Sequence, residues 1–253
     1  MTTTTHDKTG TVGLVTGAGS GIGEAAAKRL AADGASVVVA DRDAAAAGRV
    51  VAEITEAGGS AAAFTTDVRS YDQTQALVQF AVDRYGALDF ALNNAGITPA
   101  LVDVHEVALQ AWQDVIDINL TGVFHSMKAE LNHMLAAGGG TILNMASTAG
   151  VMAHAGRAAY AASKHGIVGL TRSAAVEYAQ RGVRINAVAP GPIDAPSARA
   201  LPSEIRASIA AKTAMGRVGN VDEVANVVSF LLSGEAAFIT GSVYEVNGGQ
   251  TQL

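Results

Sequence analysis

The chain has 253 residues, of which 49% are hydrophobic, with no cysteine and a formal net charge of −6 at pH 7. The absence of cysteine excludes disulfides, zinc–thiolate sites and a thiol nucleophile, and it fits a cytoplasmic protein. The acidic balance argues against nucleic acid or membranes as partners, and no apolar run reaches the ~18 residues of a membrane span. We expect one large α/β domain over residues 11–253, after a disordered polar tail at residues 1–10.

A glycine-rich turn follows the first predicted strand. The apolar run at 12–16 leads into TGAGSGIG, and a helical run continues over 22–32. Glycines let the backbone approach a pyrophosphate, and the N–H groups at a helix N-terminus bind it. The spacing is G-x-x-x-G-x-G and loops are often glycine-rich, but the position between a strand and a helix favours a dinucleotide site. The candidate cofactor-binding residues of this turn are Gly17, Ser20, Gly21, Ile22 and Gly23.

An acidic residue ends the second predicted strand, at 36–40. Asp41 lies 24 residues after Gly17. An acid at this place accepts hydrogen bonds from the adenosine ribose hydroxyls of NAD and would repel the 2′-phosphate of NADP. Two other interpretations stay open: Asp41 can simply begin a turn while Asp43 caps the next helix, and Arg42 can hold a 2′-phosphate.

Strands and helices alternate along the rest of the chain. This order predicts a single-domain, Rossmann-like, doubly wound parallel sheet of about seven strands with helices on both faces. Right-handed connections then bring the carboxyl ends of the strands to one edge, where ligands bind. The further strands are predicted at 61–66, 88–92, 140–145, 183–189 and 243–246, and the helices at 43–57, 71–85, 109–137, 157–180 and 222–232. The motif positions at or just after strand ends are Gly17, Asp41, Asp67, Asn94, Ser147 and Pro190.

A tyrosine and a lysine lie one turn apart on the helix predicted at 157–180. Their spacing of four residues puts Tyr160 and Lys164 on the same helix face. A nearby ammonium favours the phenolate over the phenol, so Tyr160 could pass a proton to or from a substrate oxygen. Ser147, just after an apolar strand, could hydrogen-bond the same oxygen. On its own, the pair is also typical of an ordinary helix surface.

Together these residues resemble the short-chain dehydrogenase/reductase family over nearly the whole chain after residue 10. The matching segments are TGAGSGIG at 16–23, DV at 67–68, NNAG at 93–96, YAASK at 160–164 and PG at 190–191, with single matches at Asn119 and Ser147. The resemblance implies Tyr160 as the general acid/base and Ser147 as the group that orients the substrate oxygen. It also implies that Lys164 binds the nicotinamide ribose and that Asn119 holds a water in a proton relay.

The same resemblance implies how the cofactor is held. Asp67 and Val68 would contact adenine, and Asp41 with an uncharged Ser20 favours NAD over NADP. One position departs from the family pattern, because Ala195 stands where a threonine often helps to hold the nicotinamide amide. Ser197 could replace that threonine. The other residues expected at the cofactor are Arg42, Asn94, Ala95, Gly96, Pro190, Gly191 and Ile193.

The resemblance further implies a substrate lid and a homotetramer. The lid would cover about residues 192–216, where Leu201 and Ile205 suggest an apolar wall, although a plain surface loop is equally consistent with the pattern. The tetramer would have 222 symmetry and pair the tyrosine-bearing helix across a two-fold axis. The alanines of this helix that are small enough for close packing are Ala158, Ala161, Ala162, Ala174 and Ala175.

The main hypothesis is an NAD-dependent oxidoreductase that transfers a hydride between NAD(H) and a small-molecule secondary alcohol or ketone. The nearest alternative is an NADPH-dependent 3-oxoacyl-carrier-protein reductase, against which Asp41 and the lack of a basic patch argue. A non-catalytic dinucleotide sensor on the same fold is a third possibility. The histidines show no metal-ligand spacing, so no catalytic metal is expected, and His154 either contacts substrate or is a solvated loop residue.

Overall fold

The computed structural model describes residues 6–196 and 202–252, and within these residues seven strands form one sheet. The strands are β1 (Val12–Thr16), β2 (Ser36–Asp41), β3 (Ser60–Thr65), β4 (Phe90–Asn93), β5 (Gly140–Met145), β6 (Val183–Pro190) and β7 (Val243–Val246). They lie in the order β3-β2-β1-β4-β5-β6-β7, and every neighbouring pair is parallel. The strand order reverses between β1 and β4, which confirms the predicted doubly wound sheet.

Helices cover both faces of this sheet. They are α1 (Gly21–Ala32), α2 (Ala44–Glu56), α3 (Tyr71–Tyr85), α4 (Leu109–Ile116), α5 (Gly122–Ala137), α6 (Ala158–Tyr178), α7 (Ser203–Ala210) and α8 (Val221–Leu231). The clusters of buried side chains contain α3, α5 and α6 on one face and α1, α2 and α8 on the other. Two separate hydrophobic cores therefore hold the sheet between them.

The central strands are mostly apolar because both of their faces are buried. All five residues of β1 are buried, as expected for a parallel strand covered on two sides. Successive side chains alternate between the faces. Leu14 belongs to the buried cluster that includes Met127 of α5, whereas Val15 belongs to the cluster on the other face that includes Leu30 of α1. This alternation fixes the register of β1 against the two helix layers.

Several helix ends follow the capping signals in the sequence. The carboxylate of Asp43 accepts hydrogen bonds from the N–H groups of Ala45 and Ala46, so α2 begins directly after it. Gly86, with a φ of 87°, ends α3 in the left-handed conformation. The helix predicted at 71–85 matches α3 at both ends.

The helix predicted at 109–137 is interrupted in the structure. A π-helical turn, Asp117–Thr121, separates α4 from α5, and the N–H of Gly122 donates to the carbonyl of Asp117, five residues earlier. A π-helical turn accommodates one extra residue without ending the helix. The hydrophobic pattern continues through it, so the pattern alone predicts one uninterrupted helix.

The N-terminal tail differs from the expectation of disorder over residues 1–10. Residues 1–5 lie outside the described part of the chain, but Lys8 is only 3% exposed. Its Nζ donates to the carbonyl of Ser229 at 3.0 Å, and its backbone N–H donates to that of Asp33 at 2.7 Å. Burial lowers the pKa of Lys8 to about 8, while the charge of Asp33 opposes that shift. Residues 6–10 are thus part of the folded domain. The polar composition predicts that Lys8 faces solvent, but the carbonyls of Ser229 and Asp33 hold it in the interior.

The region predicted as a lid contains a helix that the sequence analysis did not identify. Within 192–216 the structure has α7, and Ile205 on this helix is 48% exposed, so its side chain does not form part of a closed apolar wall. Leu201 and Ser197, which the sequence analysis assigned to the wall and to the cofactor, lie outside the described residues.

Two glycines give a matched test of the packing between β1 and β4. A Cβ at Gly13, in β1, would lie 1.9 Å from Cε2 of the buried Phe90, whereas a Cβ at the exposed Gly48, in α2, would meet nothing within 4 Å. Overpacking by Gly13→Ala should lower the free energy of unfolding by ~1–3 kcal/mol. Gly48→Ala should raise it by ~0.5–1 kcal/mol, because alanine is the better helix former. Denaturant unfolding of both variants measures this, and an unchanged stability of Gly13→Ala would contradict the Gly13–Phe90 packing.

Candidate active site

The glycine-rich turn between β1 and α1 is folded tightly enough to require its glycines. Gly17 has a φ of 62°, and a Cβ there would lie 2.8 Å from Cα of Ala95. A Cβ at Gly23 would lie 2.2 Å from the carbonyl oxygen of Gly17. Gly21, with a φ of 59°, begins α1 at the open side of the turn. Ser20, directly before α1, is exposed and Gly21 is half-buried, so the N-terminus of α1 is open to solvent, as at helix N-termini that bind a pyrophosphate.

Asn94 holds this turn in place from the end of β4. Its side-chain Nδ2 donates to the carbonyls of Thr16 and Gly17, both at 3.0 Å. In return, Thr16 Oγ1 accepts hydrogen bonds from the backbone N–H groups of Asn94 at 3.0 Å and Ala95 at 3.2 Å. Asn94 and Ala95 were expected to line the cofactor cleft, which stays a prediction, and the Asn94 amide holds the glycine-rich turn. Thr16 was not among the candidate residues, and the hydroxyl that ends β1 is the signal that could have identified it.

Asp41 lies against the same turn. One carboxylate oxygen, Oδ2, accepts a hydrogen bond from the N–H of Gly19 at 2.8 Å, and Oδ1 accepts one from the N–H of Asp43 at 3.0 Å. Each oxygen keeps further acceptor capacity. Arg42, the next residue, is exposed. The interpretation of Asp43 as a helix cap holds as well, so it does not compete with a ligand role for Asp41.

Asp67 and Val68, which are predicted to contact the adenine of the cofactor, follow β3. The Asp67 carboxylate forms hydrogen bonds with Nε of Arg69 at 2.9 and 3.0 Å, and this guanidinium lowers the pKa of Asp67. Val68 is buried, and a Cβ at Gly122 would lie 2.7 Å from its Cγ2. Val68 therefore packs directly on the first residue of α5.

The segment after β6 returns over the glycine-rich turn. The N–H of Gly191 donates to the carbonyl of Val246 at 3.0 Å, and Ile193 forms a parallel bridge with Gly219. A Cβ at Gly21 would lie 3.7 Å from both Cβ of Ala195 and Cδ of Pro196. Pro190, the buried last residue of β6, thus leads into a segment that reaches the opening of the turn.

Tyr160 and Lys164 lie together on α6, with the lysine beneath the tyrosine. Lys164 is 4% exposed, and its Nζ donates to the carbonyl of Met145, at the end of β5, at 2.7 Å. The same Nζ is 5.6 Å from the centre of the Tyr160 ring. Burial lowers the pKa of Lys164, and the charge of Tyr160 opposes this. The pair is consequently not the exposed helix surface that the spacing alone also allowed.

Ser147 lies in the short turn that joins β5 to the segment before α6. Its Oγ accepts a hydrogen bond from the N–H of Ala149 at 3.2 Å, which caps a 3₁₀ turn at Thr148–Gly150. A Cβ at Gly150 would lie 2.7 Å from the carbonyl oxygen of Lys164. The turn that carries Ser147 therefore packs on the backbone of α6 at the level of the lysine.

Asn119 lies in the π-helical turn and is fully buried. Its Oδ1 accepts a hydrogen bond from the N–H of Ile97 at 2.8 Å, and its Nδ2 donates to the carbonyl of Ile97 at 2.9 Å. A Cβ at Gly96 would lie 3.2 Å from this Oδ1. The Asn119 side chain thus holds the loop after β4, and its expected role in a water relay stays a prediction.

His154 lies between Ser147 and Tyr160 in the chain and is partly buried. Burial, together with the charges of Arg157 and Lys212, lowers the pKa of His154, and its Nε2 is buried without a hydrogen-bond partner. Nearby, a cavity of about 230 Å³ lies between the loop after β4 and the start of α6. Most of its lining is apolar, from Pro99, Ala100, Val102, Val107, Ala108, Ala111, Ala158 and Ala159, with Glu106 and Arg157 as its charged residues.

Comparison with known proteins identifies the family to which this chain belongs. A family model described as enoyl-(acyl carrier protein) reductase matches residues 17–251. Cyclohexanol dehydrogenase of Acinetobacter sp. strain SE19 is 47% identical, over 95% of this chain and 94% of the relative. Cis-4-hydroxycyclohexanecarboxylate dehydrogenase of Sinomonas cyclohexanicum is 44% identical, over 96% of this chain and 97% of the relative. The 3-oxoacyl-[acyl-carrier-protein] reductase FabG of Thermotoga maritima is 38% identical, over 95% and 97%.

A solved structure of similar fold and sequence is also found. The crystal structure of levodione reductase matches with a TM-score of 0.93 and 35% identity, over 96% of this chain and 98% of that chain. The chain belongs to the short-chain dehydrogenase/reductase family. It is an oxidoreductase. Among the described residues, no helix is long and apolar enough to cross a membrane.

Proposed function

We propose that the protein is an NAD(H)-dependent dehydrogenase of a cyclic secondary alcohol, with Tyr160 as the general acid/base. The observation that carries this proposal is the buried Lys164 ammonium beneath Tyr160, beside the Ser147 turn and at the sheet edge of the glycine-rich turn. When bound, the nicotinamide cofactor supplies or accepts the hydride. The protein's own residues bind and orient both molecules and move the proton.

The described residues fit a dinucleotide. The tight turn after β1 leads directly into the N-terminus of α1 beside the exposed Ser20, and the N–H groups at a helix N-terminus bind a pyrophosphate. The Asp41 carboxylate, fixed by the N–H of Gly19, presents acceptors for two ribose hydroxyls. The Lys164 ammonium carries three N–H donors and gives one to Met145, so it can donate to the other ribose. These contacts support NAD, although the exposed Arg42 next to Asp41 leaves NADP as the alternative cofactor.

Tyr160 carries the proton in this proposal. In alcohol oxidation its phenolate accepts the hydroxyl proton, and in ketone reduction its phenol donates one. The Lys164 Nζ lies 5.6 Å from the centre of the Tyr160 ring. Ser147 Oγ, which accepts from the N–H of Ala149, still has its own proton to donate to the substrate oxygen.

The relatives and the lining of the nearby cavity support a ring-shaped apolar substrate. Cyclohexanol and hydroxycyclohexanecarboxylate are the compounds in the names of the two relatives at 47% and 44% identity. The alternative, a 3-oxoacyl-carrier-protein reductase, is supported by the relative at 38% identity. Asp41 argues against this alternative, because its carboxylate would repel the 2′-phosphate of NADPH. The alternative of a non-catalytic dinucleotide sensor does not explain why the chain carries the complete set of Asn119, Ser147, Tyr160 and Lys164.

We further propose that the protein is a cytoplasmic homotetramer. Two of the alanines expected at the helix pair, Ala174 and Ala175, are buried in the protein's own core and are not available to a partner. The exposed Val176 on α6 and Phe124 on α5, at 83% and 47% exposed, support an interface on these helices instead. A monomeric mass by light scattering at micromolar concentration would rule the tetramer out.

Replacing Tyr160 by Phe should abolish nearly all turnover while NAD binding is retained. Loss of general acid–base catalysis typically lowers the rate by ~10² to 10⁴. We would measure kcat with cyclohexanol and with a 3-oxoacyl thioester, and NAD binding by fluorescence, using Tyr178→Phe as the matched control on the same helix. The protein should prefer cyclohexanol. Substantial activity of Tyr160→Phe would remove this residue from the mechanism, and a preference for the thioester would favour the alternative function.

Replacing Asp41 by Ala should relax the preference for NAD. The wild-type protein should have the higher kcat/KM with NAD, because a carboxylate at this place repels a 2′-phosphate. The variant should gain with NADP and lose with NAD, since Arg42 then faces the phosphate without a competing acid. Asp43→Ala, which removes only a helix cap, is the control and should leave the NAD/NADP ratio unchanged. A wild-type preference for NADP would contradict this role of Asp41.

A further inference from the structure

A cluster of four buried polar side chains lies in the core beneath the active site. Asn93 of β4, Asn144 of β5, Glu130 of α5 and Thr171 of α6 are each at most 1% exposed. Asn93 Nδ2 donates to Glu130 Oε2 and to Asn144 Oδ1, both at 3.1 Å. Asn144 Nδ2 donates to Thr171 Oγ1 at 2.9 Å. These bonds join two neighbouring strands to two helices on one face of the sheet.

Two atoms of this cluster are buried without a partner. They are Oε1 of Glu130 and Oδ1 of Asn93, which belong to the two groups already joined by the Nδ2–Oε2 bond. Both atoms are acceptors when the carboxyl is ionised, so one added proton is the missing donor. Among the described residues, no charged side chain forms an ion pair or hydrogen bond with Glu130. Burial raises the pKa of Glu130 to about 8, and the Asn93 hydrogen bond opposes this shift.

Three of the four members are connected along the chain to residues of the site. Asn144 is directly followed by Met145, whose carbonyl accepts the hydrogen bond of Lys164. Thr171 lies seven residues after Lys164, two turns further along α6. Asn93 is directly followed by Asn94, which braces the glycine-rich turn. A shift of Asn93, Asn144 or Thr171 is therefore passed to a strand end or to α6, and a shift of Glu130 reaches them through its hydrogen bond with Asn93.

We propose that Glu130 is a positioning residue that acts as a neutral carboxylic acid, pairing with the Asn93 amide so that the cluster holds α6 in register with the ends of β4 and β5. In this form Oε1–H donates to Asn93 Oδ1 while Asn93 Nδ2 donates to Oε2. The inference rests on the proposed function only in that α6 carries Tyr160 and Lys164. Its first test concerns the protonation of Glu130 and needs no substrate.

That first test compares the thermal stability of wild type and Glu130→Gln between pH 4.5 and 9. Glutamine is neutral at every pH and keeps one donor and one acceptor for the Asn93 amide. The unfolded chain ionises Glu130 near pH 4.5, whereas the native chain keeps the proton until about pH 8. Glu130 then binds more protons in the native state than in the unfolded chain within this window, so its contribution makes wild-type stability fall with rising pH relative to that of Glu130→Gln, and the difference levels off above the window. Glu130→Gln should lack this fall, and Glu56→Gln, at an exposed glutamate of α2, should keep it.

The second test measures catalysis. Glu130→Gln should keep kcat within about twofold of wild type, because the pairing is preserved. Glu130→Leu, which removes it, should lower kcat by ~10- to 100-fold, the cost of misplacing catalytic groups by about an ångström. Thr171→Val removes only the link to α6 and should lower kcat and shift the pH profile of alcohol oxidation, because Lys164 moves relative to Tyr160. A purely structural role would lower stability without moving that profile.

Several results would overturn the proposal. An equal pH-dependence of stability in wild type and Glu130→Gln would show that Glu130 is ionised in the native protein. A wild-type kcat and pH profile in Thr171→Val would show that the cluster does not position α6. If Glu130→Leu fails to fold, these two variants still decide the outcome. Failure of the proposed function appears separately, as absence of alcohol oxidation in the wild-type protein.

Discussion

The geometry of the site depends on one hydrogen bond, from the Lys164 ammonium to the carbonyl of Met145. A buried ammonium is costly unless acceptors surround it, so this carbonyl limits where α6 can lie relative to the end of β5. Gly150 has no side chain, and the Ser147 turn can therefore approach the backbone of α6 at the same level. Ser147, Tyr160 and Lys164 are brought together because a strand end, a turn and a helix meet at this one point.

The topology explains why the placement of the candidate residues at one edge was predictable. Every parallel strand presents its carboxyl end at the same edge, so a residue that follows a strand is assigned to that edge without knowledge of its contacts. The bounds of α3 and β5 were also predictable, since Ser70 and Gly86 cap the helix and an apolar run forms the strand. Local signals were sufficient in these places because no distant contact opposes them.

The partners of the candidate side chains could not be predicted in the same way. The Asn94 amide bonds to the turn after β1, 77 and 78 residues earlier in the chain, and Asn119 bonds to Ile97 across a loop. Glu130 is the clearest case, because a glutamate on a helix indicates a solvent-facing position until its neighbours are known. Lys8 is similar, since only the fold supplies its acceptor on Ser229. Polar residues held by long-range contacts carry no local signature of burial.

The π-helical turn at Asn119 restricts how this part of the chain can change. The helical segment from α4 to α5 contains one residue more than a regular α-helical ladder holds. Deleting a single residue there, such as Leu120, would restore the ladder but turn α4 by about 100° about the helix axis relative to α5. Asn119 would then lose Ile97, and the loop after β4 would lose its anchor. A change in chain length near Asn119 is therefore accommodated more easily in the loop between β4 and α4, where the lining of the cavity can vary while the helix length stays constant.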